Sequence, residues 1–203
     1  MKLIGMLDSP YVRRVAICAQ HLGIDLEHQS VSVFRHFEQF QQINPVVKAP
    51  TLVLDDGDVL MDSTLIIDYL EALAGPGKSL MPSDLKQRLR ALRVTGLALA
   101  ACEKSVQLYY ERNLRPVDIQ FQPWVERVEG QLAAAYAALE RELEKQPLAG
   151  GASIAQDGIT VAVAWSFTNL VVPDQVDAAR FPQIAKFTAQ AETLEAFINT
   201  PIT

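Results

Sequence analysis

Residues 44–71, NPVVKAPTLVLDDGDVLMDSTLIIDYLE, carry the pattern on which the fold turns. Thr51–Leu54 and Val59–Met61 are short β-prone runs joined by Asp55-Asp56-Gly57-Asp58, an acidic glycine-containing turn, so the spacing predicts a hairpin. Leu65, Ile66, Tyr69, Leu70 and Leu73 then recur at helical spacing. Lys48-Ala49-Pro50 leads into the first run, where a proline's missing N–H is tolerated at a strand start. A trans bond is the commoner state, since only about 5–6% of X–Pro bonds in folded proteins are cis. A cis bond would instead turn the Ala49 N–H and C=O outward as an open edge for an extended peptide. Spacing alone leaves both open.

Towards the N-terminus, the apolar run at 2–7 (KLIGML) is broken by Asp8-Ser9-Pro10, and Val12, Val15, Ala16, Ala19 and Leu22 follow at helical spacing up to Gly23. Leu26–Val33 alternates in part and reads as a strand; Phe34–Ile43 reads as a short irregular helix. The order is βαβαββα, a mixed α/β domain over residues 1–75 with a glycine- and proline-containing linker at 76–84. Beyond it no strand signal returns. Leu85, Leu89, Leu92, Gly96, Leu99, Val106 and Tyr110 form one long helical stripe, with Lys86, Arg90 and Arg93 on a basic face that is either solvated or paired with the acidic first domain of a second copy. Val125 to Leu143, Ile159 to Leu170, and Ile184, Phe187, Leu194 and Phe197 mark three further helices, so residues 85–203 predict an all-helical bundle.

Composition narrows the function. A chain of 203 residues, 49% hydrophobic, can fill a proper core, and a net charge of -6 argues against nucleic acid as a partner. Five of the 18 basic but ten of the 24 acidic side chains fall within residues 1–75, an asymmetry that itself points to two domains. No apolar run reaches a membrane-spanning length, and nothing at the N-terminus has the build of a signal peptide, so the expected location is the cytoplasm, with no membrane partner. Cys18 and Cys102 lack a CxxC or nearby histidine pair, and His21, His28 and His36 stand apart from carboxylates, so no disulfide and no metal site are expected.

Two polar motifs remain. Asp62-Ser63 lies where the hairpin gives way to a helix: Ser63 can cap that helix, its free N–H groups attract a carboxylate, and Asp62 can pair with an ammonium. A plain cap beside a solvated carboxylate is the alternative. Ser9-Pro10 has the same two readings, because serine is a good cap and proline a good first helical residue. A thiolate placed there would also meet a helix N-terminus and a hydroxyl donor, and both lower a thiol's pKa.

DSPYVRRV at 8–15, the 44–71 segment and an all-helical second half, in this order, resemble the cytosolic glutathione transferases, and in particular bacterial members with a serine at the catalytic position. The resemblance implies a thioredoxin-like first domain that binds glutathione as co-substrate, with no tightly bound cofactor. Pro50 would be cis, Ala49 would pair with the cysteinyl backbone, Asp62 and Ser63 would hold the γ-glutamyl group, and Ser9 would face the sulfur. Lys48, with Arg35 or His36, would approach the glycine carboxylate. It also implies a homodimer acting in detoxification, and a second pocket between the domains for a small hydrophobic electrophile, lined by Tyr11, Tyr109, Tyr110 and Trp165. A non-catalytic carrier and a glutathione-dependent thiol or peroxide reductase are the alternatives; the latter needs a cysteine where Ser9 stands. Two departures stand out. The family usually has Glu where this chain has Asp62. At the start of the third C-terminal helix Ala155 falls on the family's capping position and Gly158 on its Asp, with Ser153 and Gln156 offering a shifted capping box.

Overall fold

A computed structural model describes residues 1–202, which divide into two units: Met1–Leu80 together with the segment from Leu194 onward, and Met81–Thr193.

In the first unit, β1 (Lys2–Ile4), α1 (Pro10–Leu22), β2 (Glu27–Gln29), α2 (Phe37–Ile43), β3 (Thr51–Val53), β4 (Val59–Met61) and α3 (Ser63–Ala74) realise the order read from the sequence. The four strands lie in the order β2-β1-β3-β4; β1 runs parallel to β2 and antiparallel to β3, which is antiparallel to β4. Leu3 sits opposite both His28 and Leu52, and Leu52 opposite Leu60, so the central strands place Leu3 and Leu52 fully in the core. Ile4, Val31 and Phe40 form a buried cluster against which Val47, Ala49 and Val53 pack, so the loop before β3 is fastened to α2 and β1.

The run at 2–7 does not continue as strand, because Gly5 adopts φ 138°, a conformation open to glycine. A Cβ at Gly5 would stand 2.6 Å from Val12 Cγ2 and 3.1 Å from Ala49 Cβ, so the bare glycine lets the loop before β3 and the first turn of α1 close on the same point.

The terminal stretch departs from the single helix read there. It breaks into α7 (Pro182–Ala191) and α8 (Glu195–Ile198), and α8 belongs to the first unit. The reason is Arg13, 1% exposed on α1, whose Nε donates to the Thr200 carbonyl at 2.7 Å while its guanidinium lies 5.4 Å from the Phe197 ring centroid.

In the second unit, α4 (Leu85–Asn113), α5 (Gln122–Lys145), α6 (Gln156–Val171) and α7 pack as helices, with short 3-10 turns between them. Here the structure corrects the stripe on α4. Leu85, Leu89 and Leu92 are 81%, 67% and 52% exposed, and the buried face is Ala91, Val94, Ala98, Ala101, Cys102 and Leu108, small residues that admit α5 and α6 closely. Arg90 and Arg93 are not simply solvated either. Arg93 pairs with Glu142 at 3.2 Å, and Arg90 donates to the Glu142 and Gln146 carbonyls at the C-terminal end of α5, where a cation suits the helix dipole. Before α6 no capping box forms: Ala155 is the N-cap without a side-chain bond, and Asp157 accepts from the Gly158 amide at 2.8 Å. A Cβ at Gly158 would meet the Phe187 ring at 2.9 Å, so close packing accounts for the missing Asp.

Candidate functional site

Ser9 stands at the N-cap of α1 in extended conformation, and Pro10 opens the helix. Its amide closes a turn onto the Met6 carbonyl at 3.1 Å, but its hydroxyl makes no capping bond. The oxygen that ordinarily serves the helix is thus left beside the dipole's positive end. Asp8, one residue earlier, is half-buried; burial raises its pKa against the opposing pull of the Ser9 amide and Arg35. Arg35 reaches the same turn, its Nη2 lying 3.4 Å from Met6 Sδ. His36 does not: it caps no bond of α2, and its Nδ1 accepts from the Ser32 amide at 3.2 Å.

The Ala49–Pro50 peptide is cis. Its loop is organised by a residue the sequence analysis did not single out. Asn44 is buried; its Nδ2 donates to Thr51 Oγ1 at 2.8 Å, its Oδ1 accepts from the Val46 amide at 3.0 Å, and Thr51 Oγ1 in turn donates to the Lys48 carbonyl at 2.7 Å. Asn44 thereby holds both ends of the 44–51 loop, in which Val47 takes φ 53°.

At the start of α3 the roles differ from those the sequence suggested. Asp62, not Ser63, is the N-cap: it adopts φ 77° and its Oδ1 accepts from the Thr64 amide at 2.9 Å. Its Oδ2 lies 3.4 Å from Lys48 Nζ. Burial pushes the Asp62 pKa up, but the Thr64 amide and the Lys48 ammonium outweigh it and hold the carboxyl below its usual value. Ser63 is buried as the first helical residue, and its Oγ accepts from Arg14 Nη1 at 3.0 Å; the same nitrogen donates to Thr64 Oγ1 at 3.2 Å. Arg14, 1% exposed on α1, was not singled out in the sequence; its only sequence signal is a cation within an otherwise apolar helical period.

Ser9, Lys48, Ala49, Pro50, Asp62, Ser63 and Arg35 therefore all lie in the first unit, on the loops after β1 and β2, before β3 and after β4. Among the aromatic residues, Tyr11 is half-buried on α1, while Tyr109 and Tyr110 lie on α4 with ring centroids 6.3 Å apart. Trp165 is a core residue of the helical unit, 7% exposed and packed edge-on against Tyr136 and Phe181 at 5.3 and 6.0 Å. That packing accounts for the large ring on α6 without a pocket.

A family model for the glutathione S-transferase N-terminal domain matches residues 3–78. Glutathione S-transferase theta-2 of Rattus norvegicus is 31% identical over 204 residues, covering 98% of this chain and 82% of that protein. The chain belongs to the glutathione S-transferase family. An uncharacterized GST-like protein of Escherichia coli, YibF, is 33% identical over 98 residues, a match spanning 48% of either chain. The glutathione S-transferase of Methylobacterium radiotolerans, solved in complex with glutathione sulfonate, superposes with a TM-score of 0.89 at 26% identity, over 98% of this chain and 93% of that one. The family assignment agrees with the thioredoxin-like sheet and helical second unit. Among the described residues no helix is long and apolar enough to cross a membrane, and no group of three or more His, Cys, Asp or Glu side chains stands together for a metal.

Proposed function

We propose that this glutathione S-transferase family member binds glutathione on its first unit and conjugates the glutathione thiolate to a small hydrophobic electrophile, with Ser9 stabilising the thiolate. The observation that carries the reading is the Ser9 hydroxyl, at a helix N-terminus and unused as a cap, in the same unit as the cis Ala49–Pro50 peptide. Glutathione sulfonate in the Methylobacterium radiotolerans relative supports the ligand. In this reading Ala49 pairs with the cysteinyl backbone, Asp62 and Ser63 meet the γ-glutamyl end, and Lys48 and Arg35 face the glycine end.

A serine hydroxyl is too weak an acid to act as the base at neutral pH. The thiol proton leaves to solvent, the helix terminus and the Ser9 O–H hold the sulfur's negative charge, and the thiolate attacks the electrophilic carbon. The new C–S bond forms as the leaving group departs with its electron pair. Tyr11, two residues beyond Ser9, and Tyr109 and Tyr110 on α4 are the aromatic residues assigned to the electrophile; Trp165 is left out because its ring packs the core.

Reductase chemistry finds no support in the thiols. Cys18 is fully buried, with burial pushing its thiol up to about 12, and Cys102 is buried on α4. The reading also includes a homodimer in the cytoplasm, its second copy covering the bare leucines of α4.

The test is the pH dependence of conjugation to an aryl halide. Replacing Ser9→Ala removes a hydrogen bond to a charged sulfur, and the apparent thiol pKa rises by about one unit. An unchanged profile removes Ser9 from the mechanism. Tight glutathione binding without turnover on any electrophile makes the protein a carrier.

A further inference from the structure

Two residues of opposite effect share the turn that opens α1. Ser9 stands at the helix N-terminus with its hydroxyl unused as a cap, and Pro10 follows as the first helical residue. A hydroxyl donor and the positive end of the helix dipole both favour negative charge on a sulfur placed there. Asp8 precedes Ser9, half-buried in the turn that the Ser9 amide closes on the Met6 carbonyl at 3.1 Å. The Ser9 amide also acts on the Asp8 carboxylate, so two anions draw on one helix terminus.

Because that carboxylate reaches the Ser9 amide, a sulfur hydrogen-bonded to the Ser9 hydroxyl lies within about 8–10 Å of it, the Debye length in ordinary buffers. Salt leaves most of the repulsion standing, and half-burial strengthens it. Like charges this close do not ionise independently: the first raises the pKa of the second. Arg35, on the loop after β2, is the charged group that acts on Asp8 from outside the turn, and burial prevails over its pull. The Asp8 charge is tempered and not cancelled.

The consequence for catalysis lies in thiol chemistry. A thiolate loses nucleophilicity as its pKa falls, with a Brønsted slope of about 0.4–0.5 in exchange with disulfides, and attack is fastest when that pKa lies near the ambient pH. A residue that pushes the thiol's pKa up therefore sets where the downward pull of Ser9 stops. We infer that Asp8 is the counterweight to Ser9: its carboxylate opposes the ionisation that Ser9 and the helix terminus favour, so the bound thiolate is less abundant and a stronger nucleophile. This rests on the glutathione reading above and deepens it. The reaction is unchanged: the S–H proton goes to solvent, and the sulfur's electron pair forms the C–S bond as the leaving group departs. Asp8 acts on the sulfur through space and takes no proton from it.

The experiment compares the full chain with Asp8→Asn and Asp8→Glu at saturating glutathione. Two quantities are followed against pH: the ultraviolet absorbance of the bound thiolate, and the single-turnover rate of conjugation to an aryl halide. In Asp8→Asn the bound thiol's pKa falls by about one unit, the effect of one like charge removed at this range. Its rate is about threefold above wild type at acid pH and about threefold below it on the alkaline plateau, so the two profiles cross. Asn keeps an acceptor for the Ser9 amide, and Asp8→Glu, which keeps the charge, stays near wild type in both quantities. An Asp8→Asn profile that coincides with wild type, or that shifts without crossing, overturns the inference, as does an Asp8→Glu variant that behaves like Asp8→Asn. Should Asp8→Asn fail to fold, Asp8→Ser takes its place with the same expected crossing. The underlying reading fails separately: no thiolate absorbance on adding glutathione, or a Ser9→Ala profile identical to wild type, removes the thiolate from Ser9 whatever Asp8 does.

Discussion

Asp8 and Ser9 share one turn but respond to it differently, since burial raises the Asp8 pKa while Ser9 keeps its hydroxyl clear of the cap. A raised pKa means the folded chain holds that proton more tightly than the unfolded chain, so ionised Asp8 costs stability above the ordinary carboxyl range and costs nothing once both states are protonated. Asp8→Asn is therefore more stable than wild type at pH 7 in urea denaturation, and the difference closes as pH falls towards about 4. Asn44→Ala leaves Thr51 Oγ1 and the Val46 amide without their partner and lowers unfolding free energy by about 1–3 kcal/mol, with a parallel loss of glutathione affinity in titration. These residues also mark what was legible. Ser9 and the Asp62-Ser63 pair show in the sequence because cap chemistry is local, although the cap proves to be Asp62 and not Ser63, and cis at Pro50 was implied by the family resemblance and not by spacing. Arg14 and Ser63 are 49 positions apart, and nothing local distinguishes a buried arginine from an exposed one on the same helix.

At the scale of elements, α6 shows where local rules gave way to packing. The shifted capping box from Ser153 and Gln156 requires a helix start that the structure does not use; Ala155 occupies the cap in extended conformation (φ −113°, ψ 176°) with no side-chain bond to give. Ala155→Ser supplies the missing acceptor and raises unfolding free energy by about 1 kcal/mol, read as a higher denaturant midpoint at unchanged slope. A midpoint at or below that of the wild type shows that the first-turn amides are already satisfied. Strand and helix order in the first unit was fully legible because turn residues punctuate it, whereas the break between α7 and α8 was not. The place of the segment after it was not legible either, since Arg13 holds the carbonyl of Thr200 from 187 positions away.

The whole molecule bears apolar surface that its own units leave open. On α3 and β4, Leu65, Tyr69, Leu73, Val59 and Met61 are all exposed, and on α4 Leu85, Leu89 and Leu92 repeat along one side of the helix. Periodicity could not separate this α4 stripe from a core stripe, since hydrophobic spacing reports that a face is apolar and not what covers it. Residues at such spacing on a bare face mark an interaction surface. The homodimer proposed above would bury such faces in an isologous contact, and the α4 face offers the direct test. Leu89→Lys places a charge in the middle of the α4 face without touching its buried side, so helical content and glutathione binding persist while the dimer dissociates. Sedimentation velocity distinguishes the outcomes: wild type at dimer mass and Leu89→Lys at monomer mass support the assembly, and a monomeric wild type leaves these leucines to another partner.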